Sequence, residues 1–243
     1  MDQLLIFYAL CFFLVAMLYA SVGHGGASGY LALMALFGFA PLVMKPTALI
    51  LNLLVSLVAF LSFYKAQFFR PKLLWPLIIG SIPFAYLGAI IPLPDAWYKK
   101  ILALILLLSV LRLLTNQSNT SVKTAPKFWM LFLIGAGIGL LSGMIGMGGG
   151  ILLSPILILA GWANQKETAA ISAVFIFLNS LAGLGGQFQK GFELAPDMVW
   201  IAATVLAGGW LGASIGAKKV PIGQMKWLLA TVLIMAVGKL FFT

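Results

Sequence analysis

Ten apolar runs, separated by breaks of a few residues, constrain this chain more than any other feature. They fall at 3–22, 27–40, 47–66, 72–91, 97–116, 128–145, 149–160, 167–188, 197–217 and 222–242. A helix that crosses a hydrocarbon core needs about 20 apolar residues, and most of the runs have that length. The runs are continuous rather than alternating, which excludes a β-barrel. In lipid the backbone must satisfy its own hydrogen bonds, so the runs are helices. Only 8% of the residues are charged and 63% are hydrophobic, whereas a soluble domain is about 25% charged. The fold class is therefore all-α: a polytopic membrane protein.

Two runs are too short to cross. Residues 27–40 and 149–160 would extend only about 18–21 Å as helices at about 1.5 Å per residue. Both follow glycine-rich breaks, "GHGGASG" from Gly23 and "GMGGG" from Gly146. These matched breaks belong to a longer internal repeat. "KPTA" at Lys45–Ala48 pairs with "KETA" at Lys166–Ala169, and "YLGA" at Tyr86–Ala89 with "WLGA" at Trp210–Ala213. "YKKILA" from Tyr98 pairs with "MKWLLA" from Met225. Matches in the same order point to duplication: a first membrane repeat at 1–116, a polar linker at 117–127 and a second repeat at 128–243.

The basic residues suggest that the repeats are inverted. In the first half Lys65, Arg70, Lys72, Arg112, Lys123 and Lys127 lie on one side, against Lys45, Lys99 and Lys100 on the other. In the second half the bias reverses, with Lys166, Lys218, Lys219 and Lys226 against Lys190 and Lys239. Lysine and arginine mark the cytoplasmic side, so each half faces the membrane oppositely and both termini are expected outside. The net charge of +10 is accounted for by these run ends, and no basic cluster with interleaved aromatics suggests nucleic acid. The N-terminus lacks a basic segment and a cleavage pattern, so the first run is read as a retained helix. Trp75, Trp97, Trp129, Trp162, Trp200 and Trp227 near run ends suggest an interfacial aromatic belt.

Carriers built from inverted repeats bind their substrate near the midplane, at interrupted helices. A helix start offers unpaired N–H groups and partial positive charge. Two such starts after Gly26 and Gly150 would form a site for a small anion without a buried lysine. His24, the single histidine, stands in the first break. Four-residue glycine spacings, at Gly135/Gly139/Gly143 and Gly208/Gly212/Gly216, read instead as helix packing.

The following runs add polar groups. Thr168, Ser172, Asn179, Gly183 and Gly186 share one helical stripe, and Ala48, Asn52, Ser56 and Ala59 form a comparable one. Amides in hydrocarbon need partners, so Asn52 and Asn179 face either protein or a polar cavity. Ser28 and Ser154 are weaker candidates, because serine is tolerated in membrane helices without a special role. Lys45 and Lys166, equivalent in the repeat, either draw anions inward or snorkel at an interface.

The five acids, Asp2, Asp95, Glu167, Glu193 and Asp197, lie near run ends or in loops. His24 is thus the one mid-membrane candidate for proton coupling, weighed against a structural donor role. One histidine and one cysteine, Cys11, cannot supply a metal cluster, and no Ser–His–acid set is plausible. Neither an enzyme nor a cofactor is expected. A channel and an auxiliary membrane protein are the alternatives to a carrier.

The segments "GMIGMGGGILLSPILIL" (Gly143–Leu159) and "ETAAISAVFIFLNSLAG" (Glu167–Gly183) resemble the TauE/SafE sulfite exporter family of membrane permeases, and the first half repeats the pattern in weaker form. The resemblance covers nearly the whole chain. It implies transport of small, often sulfur-containing anions such as sulfite, sulfonates or related organic acids across a prokaryotic plasma membrane. It places Gly148, Gly149 and Gly150 at the site with Gly25 and Gly26, faced by Asn179 and Ser180. His24 stands where the second copy has Met147, and Ala27 replaces a third glycine. The substrate-binding set is therefore His24, Gly25, Gly26, Ser28, Asn52, Ser56, Met147, Gly148, Gly149, Gly150, Ser172, Asn179 and Ser180. The expected partners are a small anion and the lipid bilayer, with a homodimer left open.

Overall fold

In the computed structural model, residues 3–114, 126–189, 191, 193–195, 197–217 and 223–242 are described. Their regular structure is helical: α1 (Gln3–Ser21), α2 (Ala27–Phe37), α3 (Pro41–Lys65), α4 (Pro71–Ile90), α5 (Asp95–Leu114), α6 (Phe128–Ile145), α7 (Gly150–Leu159), α8 (Gln165–Phe188), α9 (Met198–Ala217) and α10 (Gly223–Phe242). Of the linker expected at 117–127, all but Pro126 and Lys127 lies outside the described residues. Among the described residues five helices, α3, α4, α6, α8 and α9, are long and apolar enough to cross a membrane. Side chains such as Phe7, Leu10, Trp129, Leu133 and Val199 are exposed on the outside of the bundle. That surface suits lipid and would be costly in water.

Local chemistry sets the helix ends. Proline opens α3 and α4 in the first turn, where its missing N–H is no loss. Asn164 caps α8 in a capping box with Glu167. The short helices start differently. Gly26 and Gly149 precede α2 and α7 with φ of 95° and 80°, a left-handed conformation that glycine adopts without steric cost. Each break therefore turns the chain back on itself. Tyr19 bonds Ser28 at 2.6 Å, Phe12 stacks on Tyr30, and Phe37 at the end of α2 stacks on Tyr8 near the start of α1. The α1–α2 pair is a hairpin, and α2 is a half-length return, not a span.

The four-residue glycine stripes are packing surfaces. A Cβ on Gly135, Gly139 or Gly143 would fall on the carbonyl of Leu77, Ser81 or Ala85 in α4. A Cβ on Gly208, Gly212 or Gly216 would fall on the carbonyl of Phe13, Met17 or Ser21 in α1. The rising order on both sides makes α6 parallel to α4, and α9 parallel to α1. α3 and α8 run antiparallel, since Leu49 lies by Gly183 while Phe63 packs with Ala169 and Ala170.

Polar contacts collect at two ends. At one end Arg70 pairs with Glu167 at 2.5 Å, and the Lys166 ammonium donates to the Ala217 carbonyl at 3.1 Å. At the other, Lys239 donates to the Leu36 carbonyl, the Ala195 N–H donates to Thr47, and Gln187 donates to Ala89. Lys45 sits over the Tyr98 ring and Lys166 over Phe68, so both equivalent lysines are held by aromatic faces. The aromatic belt has an exception. Trp75, Trp97, Trp129 and Trp200 are exposed, but Trp162 is buried against α4, α6 and α8, because the short α7 turns inward before it. The side chain of Trp227 lies outside the described residues.

Candidate functional site

The two breaks meet in the interior, and Asn52 of α3 holds them together. Its Oδ1 accepts the Ala27 N–H at 3.1 Å, at the start of α2. Its Nδ2 donates to the Met147 carbonyl at 3.1 Å and to the Ser180 hydroxyl at 3.3 Å. One amide thus serves the first break, the second break and α8. Glycine makes this approach possible on both sides. A Cβ on Gly25 would overlap Asn52 Oδ1, and a Cβ on Gly148 would lie 2.5 Å from Asn52 Nδ2 and 2.7 Å from Ser180 Oγ. Asn52 is 1% exposed, and a buried amide this well partnered fixes geometry rather than adding much net energy.

His24 makes the second cross-link. Its Nδ1 lies 3.0 Å from the Val22 carbonyl, and its Nε2 lies 3.2 Å from the Gly150 carbonyl and 2.9 Å from Ser154 Oγ. Ser154 also donates to Gly150 O at 2.9 Å and bonds Ser172 Oγ at 2.9 Å. This hydroxyl chain runs from the first break through α7 to α8.

Between the two cross-links is a cavity about the size of one water molecule. It is lined by Tyr19, His24, Gly25, Gly26, Ala27, Ser28, Asn52, Met147, Gly150, Ile151 and Ile176. Of the sequence-derived candidates, His24, Gly25, Gly26, Ser28, Asn52, Met147 and Gly150 border it directly. Gly148 and Ser180 stand one contact behind, on the Asn52 amide, and Ser172 one bond behind, on Ser154.

Three candidates are placed elsewhere. Gly149 faces Ile138, Phe175 and Ser142, because its left-handed turn directs it away from the Asn52 side. Ser56 donates back to the Leu53 carbonyl. Asn179 donates to the Phe175 carbonyl of its own helix at 2.8 Å, leaving its buried Oδ1 without a partner among the described residues. The stripe on α8 is buried as expected, but it faces protein on two sides and only part of it reaches the site. Tyr19, Ile151 and Ile176 were not among the candidates. An apolar isoleucine carries no polar signal in a sequence, and Tyr19 reaches the site only because α2 folds back. The hydroxyl of Tyr30, also buried, lies beside Gly26 without a hydrogen-bond partner among the described residues. No group of three or more potential metal ligands occurs among the described residues.

A bundle of apolar helices, with half-length helices starting at an interior polar site, is the architecture of a multi-pass membrane transporter. The chain belongs to the sulfite exporter TauE/SafE family, whose model matches residues 8–240. It is similar to a "Probable membrane transporter protein" of Sinorhizobium fredii, at 36% identity over 99% of both chains. A protein of Methanocaldococcus jannaschii with the same description is 26% identical over 64% of this chain and 62% of its own. A third, from Paramagnetospirillum magneticum, is 26% identical over 80% of this chain and 37% of its own. No solved structure matches the chain.

Proposed function

We propose that this transporter carries a small sulfur-containing anion, of the sulfite, sulfonate or thio-acid class, across a prokaryotic plasma membrane by alternating access around the paired breaks. The Asn52 clamp carries the proposal. It occupies the first N–H of α2 with a neutral amide oxygen, in the place where an anion would be favoured by the helix end. A sulfur oxyanion offers several acceptor oxygens to such N–H groups and to the Ser28 hydroxyl beside them. A cavity of one water is too small for it, so binding requires the two breaks to separate. Breaks held by single side chains and glycine contacts can part without disturbing the glycine-packed pairs α1–α9 and α4–α6. The family's description, sulfite exporter, supports the substrate class.

The test is flux in liposomes with sulfite, thiosulfate, methanesulfonate and a thio-acid. Saturable uptake and counterflow of at least one of them are expected. Conductance without saturation would replace the carrier by a channel, and silence toward the whole panel would remove the substrate class.

The same reading has the two halves inverted and the termini outside. It is supported by α3 and α8, the same element in each copy, running antiparallel, and by the gathering of Arg70, Glu167, Lys166 and Ala217 at one end. In a Cys11→Ala background, single cysteines replacing the exposed Gln67 and Gln165 should react from the cytoplasmic side. A cysteine replacing Leu194 should react from the outside. Labelling of positions 67 and 165 from opposite sides would rule out inversion.

A further inference from the structure

We propose that His24 takes up a proton with each anion, making the carrier a proton–anion symporter in which the substrate supplies the counter-charge of a buried imidazolium. The inference rests on the carrier reading above and adds its coupling chemistry.

The geometry around the ring carries it. Both ring nitrogens face backbone carbonyl oxygens: Nδ1 faces Val22 O at 3.0 Å and Nε2 faces Gly150 O at 3.2 Å. A carbonyl can only accept. A neutral imidazole has one N–H and satisfies one of the two, whereas the imidazolium donates to both. The ring is 2% exposed and borders the cavity between the breaks, so a charge placed there lies beside the position proposed for the anion.

Ser154 makes both states tenable. With His24 neutral and Nδ1–H donating to Val22, the Ser154 hydroxyl donates to the Nε2 lone pair at 2.9 Å. When a proton from water binds Nε2, the new N–H donates to Gly150 O or Ser154 Oγ. The serine hydroxyl then turns to Gly150 O or to Ser172, each at 2.9 Å. Uptake breaks an O–H bond of hydronium and forms N–H, and release reverses this, the proton leaving Nε2 for water on the far side with the anion.

The surrounding groups leave the titration to His24. Tyr19 of α1 bonds Ser28, and Tyr30 of α2 lies beside Gly26. α7 contains no titratable residue. On α3, Lys45 sits over Tyr98, and Lys65 is at the far end of the helix. On α8, Lys166 and Glu167 are engaged in the first turn with Ala217 and Arg70. Asn52, Ser154 and Ser172 are neutral.

The experiment uses the full chain in liposomes loaded with a pH dye. The probe is methanesulfonate, whose charge is constant across the histidine range of about pH 5–8. With one proton per anion, an inward acid gradient of about one pH unit should drive about tenfold accumulation, accompanied by internal acidification. An imposed membrane potential should leave it unchanged. In His24→Gln, any remaining flux should respond to membrane potential and no longer to the pH gradient. Wild-type flux without proton movement would overturn the inference, as would a His24→Gln protein that accumulates anion as the wild type does. If His24→Gln and His24→Asn are folded but carry no flux, calorimetry of methanesulfonate binding to the wild type in buffers of different ionisation enthalpy decides. Uptake of one proton per anion supports the assignment, and uptake of none overturns it. Counterflow of methanesulfonate with no pH response separates failure of the coupling from failure of the carrier. Absence of counterflow for this probe overturns both for sulfonates.

Discussion

Replacing Asn52 with leucine is expected to abolish anion flux and to destabilise the folded protein measurably. Leucine has the branched heavy-atom skeleton of asparagine with bulkier methyl groups, so the substitution removes the hydrogen bonds without opening a cavity and also crowds Gly25 and Gly148. The Ala27 N–H, the Met147 carbonyl and the Ser180 hydroxyl each lose their Asn52 partner. In membrane proteins an interhelical hydrogen bond averages about 0.6 kcal/mol, whereas a buried group left unsatisfied costs about 1–3 kcal/mol. The second figure governs here, because the two backbone groups cannot rotate toward new partners. A loss of at least about 2 kcal/mol in stability follows, readable as a lower melting temperature in detergent. Flux should fall further than stability, since the same amide positions both breaks at the proposed site. Asn52→Asp is the more damaging change: it keeps an acceptor for the Ala27 N–H but turns a carboxylate oxygen toward the Met147 carbonyl and buries an unpaired negative charge where the anion would bind. It should be less stable than the leucine variant and have no flux. Wild-type flux in a folded Asn52→Leu protein would reduce the clamp to packing.

The helices were legible in the sequence because hydrocarbon leaves no choice: continuous apolar runs must close their own hydrogen bonds, and their ends fall within three residues of those expected, except that α3 begins at Pro41, six residues before the expected run, and takes Pro46 into its first turns. The glycine stripes at Gly135/Gly139/Gly143 and Gly208/Gly212/Gly216 were legible for the same reason, since four-residue spacing permits carbonyl contact whatever the partner helix. What no periodicity reveals is which helices meet. Asn52 and Asn179 look alike in sequence, each on a polar stripe, yet one bridges two breaks and the other donates to its own helix. The difference arises because the first break delivers Gly25 against α3, leaving room for an amide only at Asn52. Likewise Gly148 and Gly149 are neighbours in one glycine run. The left-handed turn sends one toward Asn52 and the other toward Ile138. Side-chain direction inside a non-helical break is a tertiary fact, and the sequence pattern carries only the glycines that allow it.

Gly25→Ala should produce nearly the phenotype of Asn52→Leu through a methyl group alone. Gly25 does not have the left-handed φ of Gly23 or Gly26, so alanine imposes no backbone strain. The whole effect must come from what the methyl meets: Asn52 Oδ1, then Asn52 Cγ at 2.7 Å and Ile176 Cγ2 at 3.1 Å. The amide must leave the Ala27 N–H or the two breaks must part. A penalty of about 2 kcal/mol on the closed arrangement corresponds to about a thirtyfold change in any equilibrium that depends on it. A double-mutant cycle isolates the cause. In an Asn52→Ala background the obstructing atoms are gone, so adding Gly25→Ala should cost little beyond what Asn52→Ala has already lost. Additive losses would place the clash elsewhere. Gly137→Ala provides the control. It adds the same methyl to α6 where nothing lies within 4 Å, and alanine in a helix interior is favoured over glycine by about 1 kcal/mol. That variant should transport normally and melt no lower than the wild type. A single methyl thus distinguishes glycine that serves the crossing of the two breaks from glycine that merely occupies a membrane helix.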